Sequence, residues 1–131
     1  MKQKKIIFIN CGWEQFPTVE LAHNKGHTLY AISFKKNYIY KRYFKEVLYC
    51  KANNEKRIFD FVNKIKPNGI ISDQCDFSYM LQSKISEKFK LKGPKLTEAK
   101  IFTNKLLQRE LISKSNLKSP TFFSIKKFSE L

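Results

Sequence analysis

The first apolar run of the chain, Ile6-Ile7-Phe8-Ile9, does not alternate with polar residues. A strand with one wet face has a period of two, so a continuous run predicts a strand buried on both faces, as in a parallel sheet covered by helices. A polar loop, Asn10-Cys11-Gly12-Trp13-Glu14-Gln15, follows it. Pro17 suits a first helical turn, where its missing N–H costs nothing. Val19 and Ala22 then sit at helical spacing in the segment to Lys25, with Gly26 placed as a left-handed stop. The rhythm repeats. His27 to Ser33 predicts a second strand, Lys35 to Phe44 a basic, tyrosine-rich irregular crossing, and Val47-Leu48-Tyr49-Cys50 a third strand. Asn53 or Asn54 can cap a helix whose Ile58, Phe61, Val62 and Ile65 fall at i, i+3, i+4 and i+7. Lys66-Pro67-Asn68-Gly69 ends that helix and Ile70-Ile71 begins a short fourth strand. Asp76 or Ser78 can open the next helix, along which Phe77, Leu81, Ile85 and Phe89 form a four-residue ladder. The pattern predicts an α/β fold: a Rossmann-like parallel sheet of four or more strands, helices on both faces, right-handed crossovers.

After Leu91-Lys92-Gly93-Pro94 the alternation stops. Thr97 to Phe102 predicts a short helix and Asn104 to Ser115 a longer one, with Leu107 and Leu111 on one face and Asn116 available as a left-handed cap. Ser119-Pro120 precedes an extended apolar run, Phe122-Phe123-Ser124-Ile125, and Phe128-Ser129-Glu130-Leu131 resembles a first helical turn. Two helices and a lone strand cannot make a core, so the expected organisation is a domain over 1–94 and a C-terminal helical extension over 95–131.

Composition changes this picture little. The 12 phenylalanines and 6 tyrosines fill the space between a sheet and its helices and argue against disorder. No apolar run approaches the ~20 residues that cross a bilayer. Cys11, Cys50 and Cys75 are odd in number and widely spaced, which weighs against a zinc site or disulfide framework and fits a reducing cytoplasm. The net charge of +15 could serve nucleic acid, an acidic membrane or anionic substrates. Against that, it is nearly all lysine, with Arg42, Arg57 and Arg109 the three arginines, and the lysines are spread along the chain. Readers of phosphates and bases favour arginine's bidentate fork, so a solvated surface is the better account.

The order of segments resembles the ATP-grasp superfamily, whose members include the carbamoyl-phosphate synthase large chain, biotin carboxylase and purine-pathway carboxylate–amine ligases. Gly12-Trp13-Glu14-Gln15-Phe16-Pro17 is similar to the loop after the first strand of the pre-ATP-grasp domain. Lys66-Pro67-Asn68-Gly69-Ile70-Ile71 resembles the approach to its fourth strand, and Leu91-Lys92-Gly93-Pro94 with Glu98-Ala99 the turn into the following helix. Thr103-Asn104-Lys105 with Arg109-Glu110-Leu111 resembles the next helix, and Ser119-Pro120 the segment after it. Asn104 replaces the usual Asp, Lys95 a commoner Ser or Asn, and Asn116 a frequent Gly. The resemblance spans nearly the whole chain. It implies a pre-ATP-grasp domain plus the start of an ATP-grasp domain, cut before the catalytic core as a piece of a longer chain or a split gene product.

The same resemblance implies site residues. Lys105 stands where a lysine contacts nucleotide in biotin carboxylase-like members, and the start of a helix suits phosphate. Gly12, Trp13, Glu14 and Gln15 stand where the family helps hold a carboxylate- or amine-bearing substrate; an ordinary loop whose Trp13 packs on a neighbouring lobe is the bland alternative. The residues themselves add Asp73: Ser72-Asp73-Gln74-Cys75-Asp76 lies after the fourth strand on the same predicted edge, where two neighbouring acids could bind substrate, the metal reading being the weaker, while Asp76 serves equally as a helix cap. His23 and His27 flank the end of the first helix, where a dipole contact or plain exposure is expected, and the cysteines default to buried, inert thiols. Four glycines at wide spacing compose neither GxGxxG nor a Walker loop. The expected function is the substrate-side part of an ATP-dependent carboxylate–amine, or carbamoyl-phosphate synthase-like, ligase that activates a carboxylate as an acyl phosphate. ATP and Mg2+ are expected in the full-length protein and none bound to these residues, because the family's magnesium carboxylates, glycine-rich lid and further lysines lie downstream. Expected partners are a small carboxylate or amine substrate, the rest of the ATP-grasp domain and a second copy of the chain as a homodimer; membrane and nucleic acid are not expected. A Rossmann-like binding or regulatory module without catalysis is the alternative, and a basic nucleic-acid-binding protein a third.

Overall fold

The computed structural model describes residues 2–35 and 40–125. Four strands, β1 (Lys5–Ile9), β2 (Thr28–Ser33), β3 (Glu46–Tyr49) and β4 (Gly69–Ser72), form one parallel sheet in the order β3-β2-β1-β4. The helices are α1 (Phe16–Asn24), α2 (Glu55–Ile65), α3 (Asp76–Lys88), α4 (Leu96–Phe102) and α5 (Lys105–Ser113), with a short 3-10 turn at Lys41–Tyr43. The fold class expected from the sequence is the one found.

Strand order dictates where the helices go. The first two crossovers step from β1 towards β3, and right-handedness puts them on one face. The third reverses direction to reach β4, so the same hand carries α2 to the opposite face. The two cores follow this division. Phe8, Val19, Ala22, Leu29, Ala31 and Phe44 pack on the α1 face, while Ile7, Ile9, Ile32, Ile58, Val62, Leu81 and Ile85 pack under α2 and α3. Ile7, Phe8 and Ile9 are all buried, as their unbroken apolar run predicts for a strand covered on both sides. Asn68 locks β4 beside β1: its side-chain Oδ1 accepts from the Lys5 N–H at 2.9 Å, and its backbone N–H donates to the Lys5 carbonyl at 2.8 Å.

Helix boundaries show where local chemistry decides. Asn54 caps α2 by accepting from the Arg57 N–H. Gly26, at φ 75°, closes α1 in the left-handed conformation. The stop of α2 is Lys66, at φ 50°, and not a glycine; Pro67 behind it prevents continuation. α3 opens at Asp76, one of the two expected starts, with Cys75 and not Asp76 in the capping position. Phe77 leaves the expected ladder, being 51% exposed, and meets Phe34 edge-on at 5.9 Å. Four-residue spacing on a helix of 3.6 residues per turn drifts about 40° per step. The middle members Leu81 and Ile85 therefore stay buried while the first swings out.

The extension is carried on α3. Ala99 is buried, Phe102 meets Tyr79 edge-on at 6.5 Å, and the Leu96 N–H donates to the Glu87 carboxylate at 2.7 Å. No residue of α5 is buried. That helix ends at Lys114 with φ −85°, so Asn116 is not a left-handed cap. The 122–125 run pairs with no strand among the described residues, which corrects the expected lone strand. The expected turn Phe128-Ser129-Glu130-Leu131 and part of the basic crossing lie outside the described residues. Since packing contributes little, capping carries much of α5. Asn104 Oδ1 accepts from the N–H groups of Leu106 (3.0 Å) and Leu107 (3.2 Å). Asn104→Ala is expected to cost about 1 kcal/mol locally, seen as roughly fivefold faster amide exchange in α5 with the sheet unaffected.

Candidate functional site

In an open parallel sheet, ligands gather beyond the carboxyl ends of the strands, where the strand order reverses. Here the reversal lies between β1 and β4. The two loops that leave this point are 10–15 and 73–75, the segments that hold five of the six candidate residues.

The two loops are joined. Gln15 is buried at 3% exposure, and its side-chain amide donates to the Asp73 carbonyl at 2.7 Å while its oxygen accepts from the Gly12 N–H. The Gly12 N–H also reaches the Asn10 carbonyl at 3.0 Å. Asn10 (φ 54°) and Gln74 (φ 58°) both take left-handed conformations, which turn the chain sharply off the ends of β1 and β4. A Cβ on Gly12 would displace the exposed Glu14 carboxylate and press on the Gln15 amide. Trp13 stands out at 72% exposure and Glu14 is exposed, whereas Asp73 is half-buried. The loop thus turns Cys11 and Gln15 inward and offers an indole and a carboxylate outward.

Cys75 lies at the same junction. Burial alone would raise its thiol pKa; the Ser78 hydroxyl and N–H, the Phe77 N–H and the Asn10 side chain, all turned towards the sulfur, outweigh burial and bring it below the ordinary thiol value. The sulfur makes no close cap hydrogen bond, and Ser78 Oγ has no hydrogen-bond partner. Cys50 behaves in the opposite way: burial pushes its thiol up, and the Arg57 guanidinium offsets only part of that.

Lys105 sits apart from this cleft, exposed at the first position of α5. Two N–H groups of that helix end are taken by Asn104, so anion contact there falls to side chains. Lys105 shares a cavity of about 260 Å3 with Leu106, Arg109, Phe122, Phe123 and Ser124. Two cations there stand beside two phenyl rings, charge of the kind that attracts phosphate and flat apolar surface of the kind an aromatic base can stack on. Arg109, Phe122 and Phe123 were not expected at this place, because the return of 122–125 towards α5 has no local sequence signal. Among the described residues no three His, Cys, Asp or Glu side chains are grouped to hold a metal, and no helix is long and apolar enough to cross a membrane. His23 stands edge-on to Tyr43 at 5.1 Å, a surface packing role.

No protein-family model matches the chain, and no curated protein matches it in sequence. Solved structures do match. Phosphoribosylglycinamide synthetase from Anaerococcus prevotii superposes with a TM-score of 0.80 at 18% identity, over 99% of this chain and 33% of that one. L-amino acid ligase from Bacillus licheniformis gives 0.81 at 16%, over 100% and 35%. N5-carboxyaminoimidazole synthetase from Staphylococcus aureus, complexed with ADP, gives 0.76 at 18%, over 97% and 34%. The chain thus spans about a third of the length of the structures it matches. These are members of the ATP-grasp superfamily, to which the ordered motifs pointed. At such identities what is shared is the fold.

Proposed function

We propose that the chain is the substrate-side part of an ATP-dependent carboxylate–amine ligase. Residues 1–94 form its pre-ATP-grasp domain and residues 95–131 begin its nucleotide-binding part. In the whole protein a carboxylate is activated by ATP as an acyl phosphate and passed to an amine, and Mg2+ supplies charge neutralisation at the phosphates. The observation that carries this is the fold correspondence across essentially the full chain with three synthetases and ligases, one of them complexed with ADP. The cleft supports it. Glu14 and Asp73 offer carboxylates to an amine or hydroxyl, Gly12 lets a ligand approach the backbone, and Trp13 gives the ligand a flat apolar wall. Gln15 acts through the two loops it joins. Lys105, with Arg109 beside it, reaches for nucleotide phosphate.

The test is made on the product of the complete reading frame. Carboxylate-dependent ADP release is expected, with hydroxylamine trapping the acyl phosphate as a hydroxamate. Lys105→Ala is expected to weaken ATP binding roughly tenfold, about 1.4 kcal/mol, without moving the carboxylate KM. Glu14→Gln is expected to do the reverse. ATP left unbound and unconsumed across a panel of carboxylates and amines would overturn the proposal in favour of a binding module without catalysis.

A further inference from the structure

β4 has β1 on one side and, among the described residues, no strand on the other. The outer edge of such a strand leaves N–H and C=O groups unmatched. Here one side chain meets them. Gln82, midway along α3, donates from its amide nitrogen to the Ile70 carbonyl at 3.0 Å, and its Oε1 accepts from the Ser72 N–H at 3.2 Å. A residue paired with Ile71 from a fifth parallel strand would use its own N–H and C=O on the same two groups, so the carboxamide reproduces one rung of the ladder. After Ser72 comes Asp73, the carboxylate at the reversal point, whose carbonyl accepts from the Gln15 amide at 2.7 Å. Asp73 therefore stands between two backbone groups, each held by a carboxamide from a different element. Gln74, at φ 58°, turns the chain away directly after it. With the backbone held on both sides, the direction in which Asp73 presents its side chain is held as well.

We propose that Gln82 is a positioning residue for the Asp73 carboxylate. It acts through Ser72 and not on a ligand. Gln82 holds the end of β4 from its outer side, as Gln15 holds the Asp73 carbonyl from the loop before α1, and together they set where the cleft receives an amine or hydroxyl of the substrate. The effect is local, because β4 keeps its ladder to β1 when the two bonds from Gln82 are lost. The role of Asp73 rests on the function proposed above, whereas the hold on Ser72 does not.

Gln82→Met removes the amide and keeps an unbranched side chain of good helix propensity. Gln82→Asn keeps the amide but leaves it one methylene short of the strand, so that either variant that folds can decide. In the folded chain each is expected to speed amide exchange at Ser72 at least tenfold and in 73–75 at least threefold, with residues 29–32 of β2 unmoved. Kinetics are then measured on the product of the complete reading frame, with the carboxylate and amine that support ADP release. Each variant is expected to raise the KM of one of these two substrates roughly three- to tenfold and to leave the KM for ATP unmoved. Asp73→Asn is expected to raise the same KM, and adding Gln82→Met to it to raise it no further, as for two residues that act through one group. Unchanged exchange at Ser72 in a folded variant overturns the proposal. So does a KM rise that adds in full to that of Asp73→Asn, since Gln82 then acts elsewhere. A parent protein that turns over no carboxylate overturns the proposed function, and the role of Asp73 with it, even where Ser72 is freed as expected.

Discussion

Replacing Phe8 by alanine is expected to remove about 3–5 kcal/mol of folding stability, the largest loss from any single change considered. Phe8 is 1% exposed on the central strand β1, pointing to the α1 face, and meets Phe44 edge-on at 6.0 Å. The sheet behind it is rigid and paired on both sides, so little can collapse into the space the ring leaves. A domain of this size has on the order of 5–15 kcal/mol in hand. The variant should therefore remain folded only marginally, with a urea midpoint well below that of the parent and an unchanged slope. A loss under about 1 kcal/mol would mean that the face bearing α1 is not a packed core.

Gln15→Ala is expected to cost about 2 kcal/mol, for a different reason. The side chain makes two hydrogen bonds of roughly 1 kcal/mol each and is buried, so its removal also leaves the Asp73 carbonyl without that donor. Gln15→Glu separates linking from packing. The carboxylate can still accept from the Gly12 N–H but cannot donate to the Asp73 carbonyl, and it places charge where water is scarce. It should destabilise at least as much as alanine does. Amide exchange in 10–15 and 73–75 should quicken together in both variants. If exchange rose in one loop and not the other, the idea that they move as a unit would fail.

The sequence made the strands and α2 plain, because each carries its burial pattern within itself. An unbroken run such as Ile6 to Ile9 leaves few alternatives, and the i, i+3, i+4, i+7 spacing of α2 buries Ile58, Phe61, Val62 and Ile65 as read. The ladder of α3 was less informative, since a strict four-residue repeat cannot hold a straight helix's core face. The cleft was legible as a location, because parallel strands bring all their following loops to one edge. Its internal arrangement was not. Gln15 has the same chemistry as a ligand contact or as a clamp, and the partner that decides between them is Asp73, 58 residues away. Around Lys105 the companions Phe122 and Phe123 come from a segment with no regular structure.

The position of β1 in the sheet has a consequence for synthesis. β1 is made first, yet one of its two partners is β4, and the Lys5–Asn68 bonds span 63 residues. At ribosomal speeds of 5–20 residues per second, the strand waits roughly 3–13 s for that neighbour to emerge. Throughout that interval the nascent Ile6-Ile7-Phe8-Ile9 segment has one edge unpaired, and such segments nucleate intermolecular pairing. Lys2, Lys4 and Lys5 stand immediately before it. They are placed as gatekeepers, charges that keep an unfinished strand from finding a second nascent chain before its own β4 arrives.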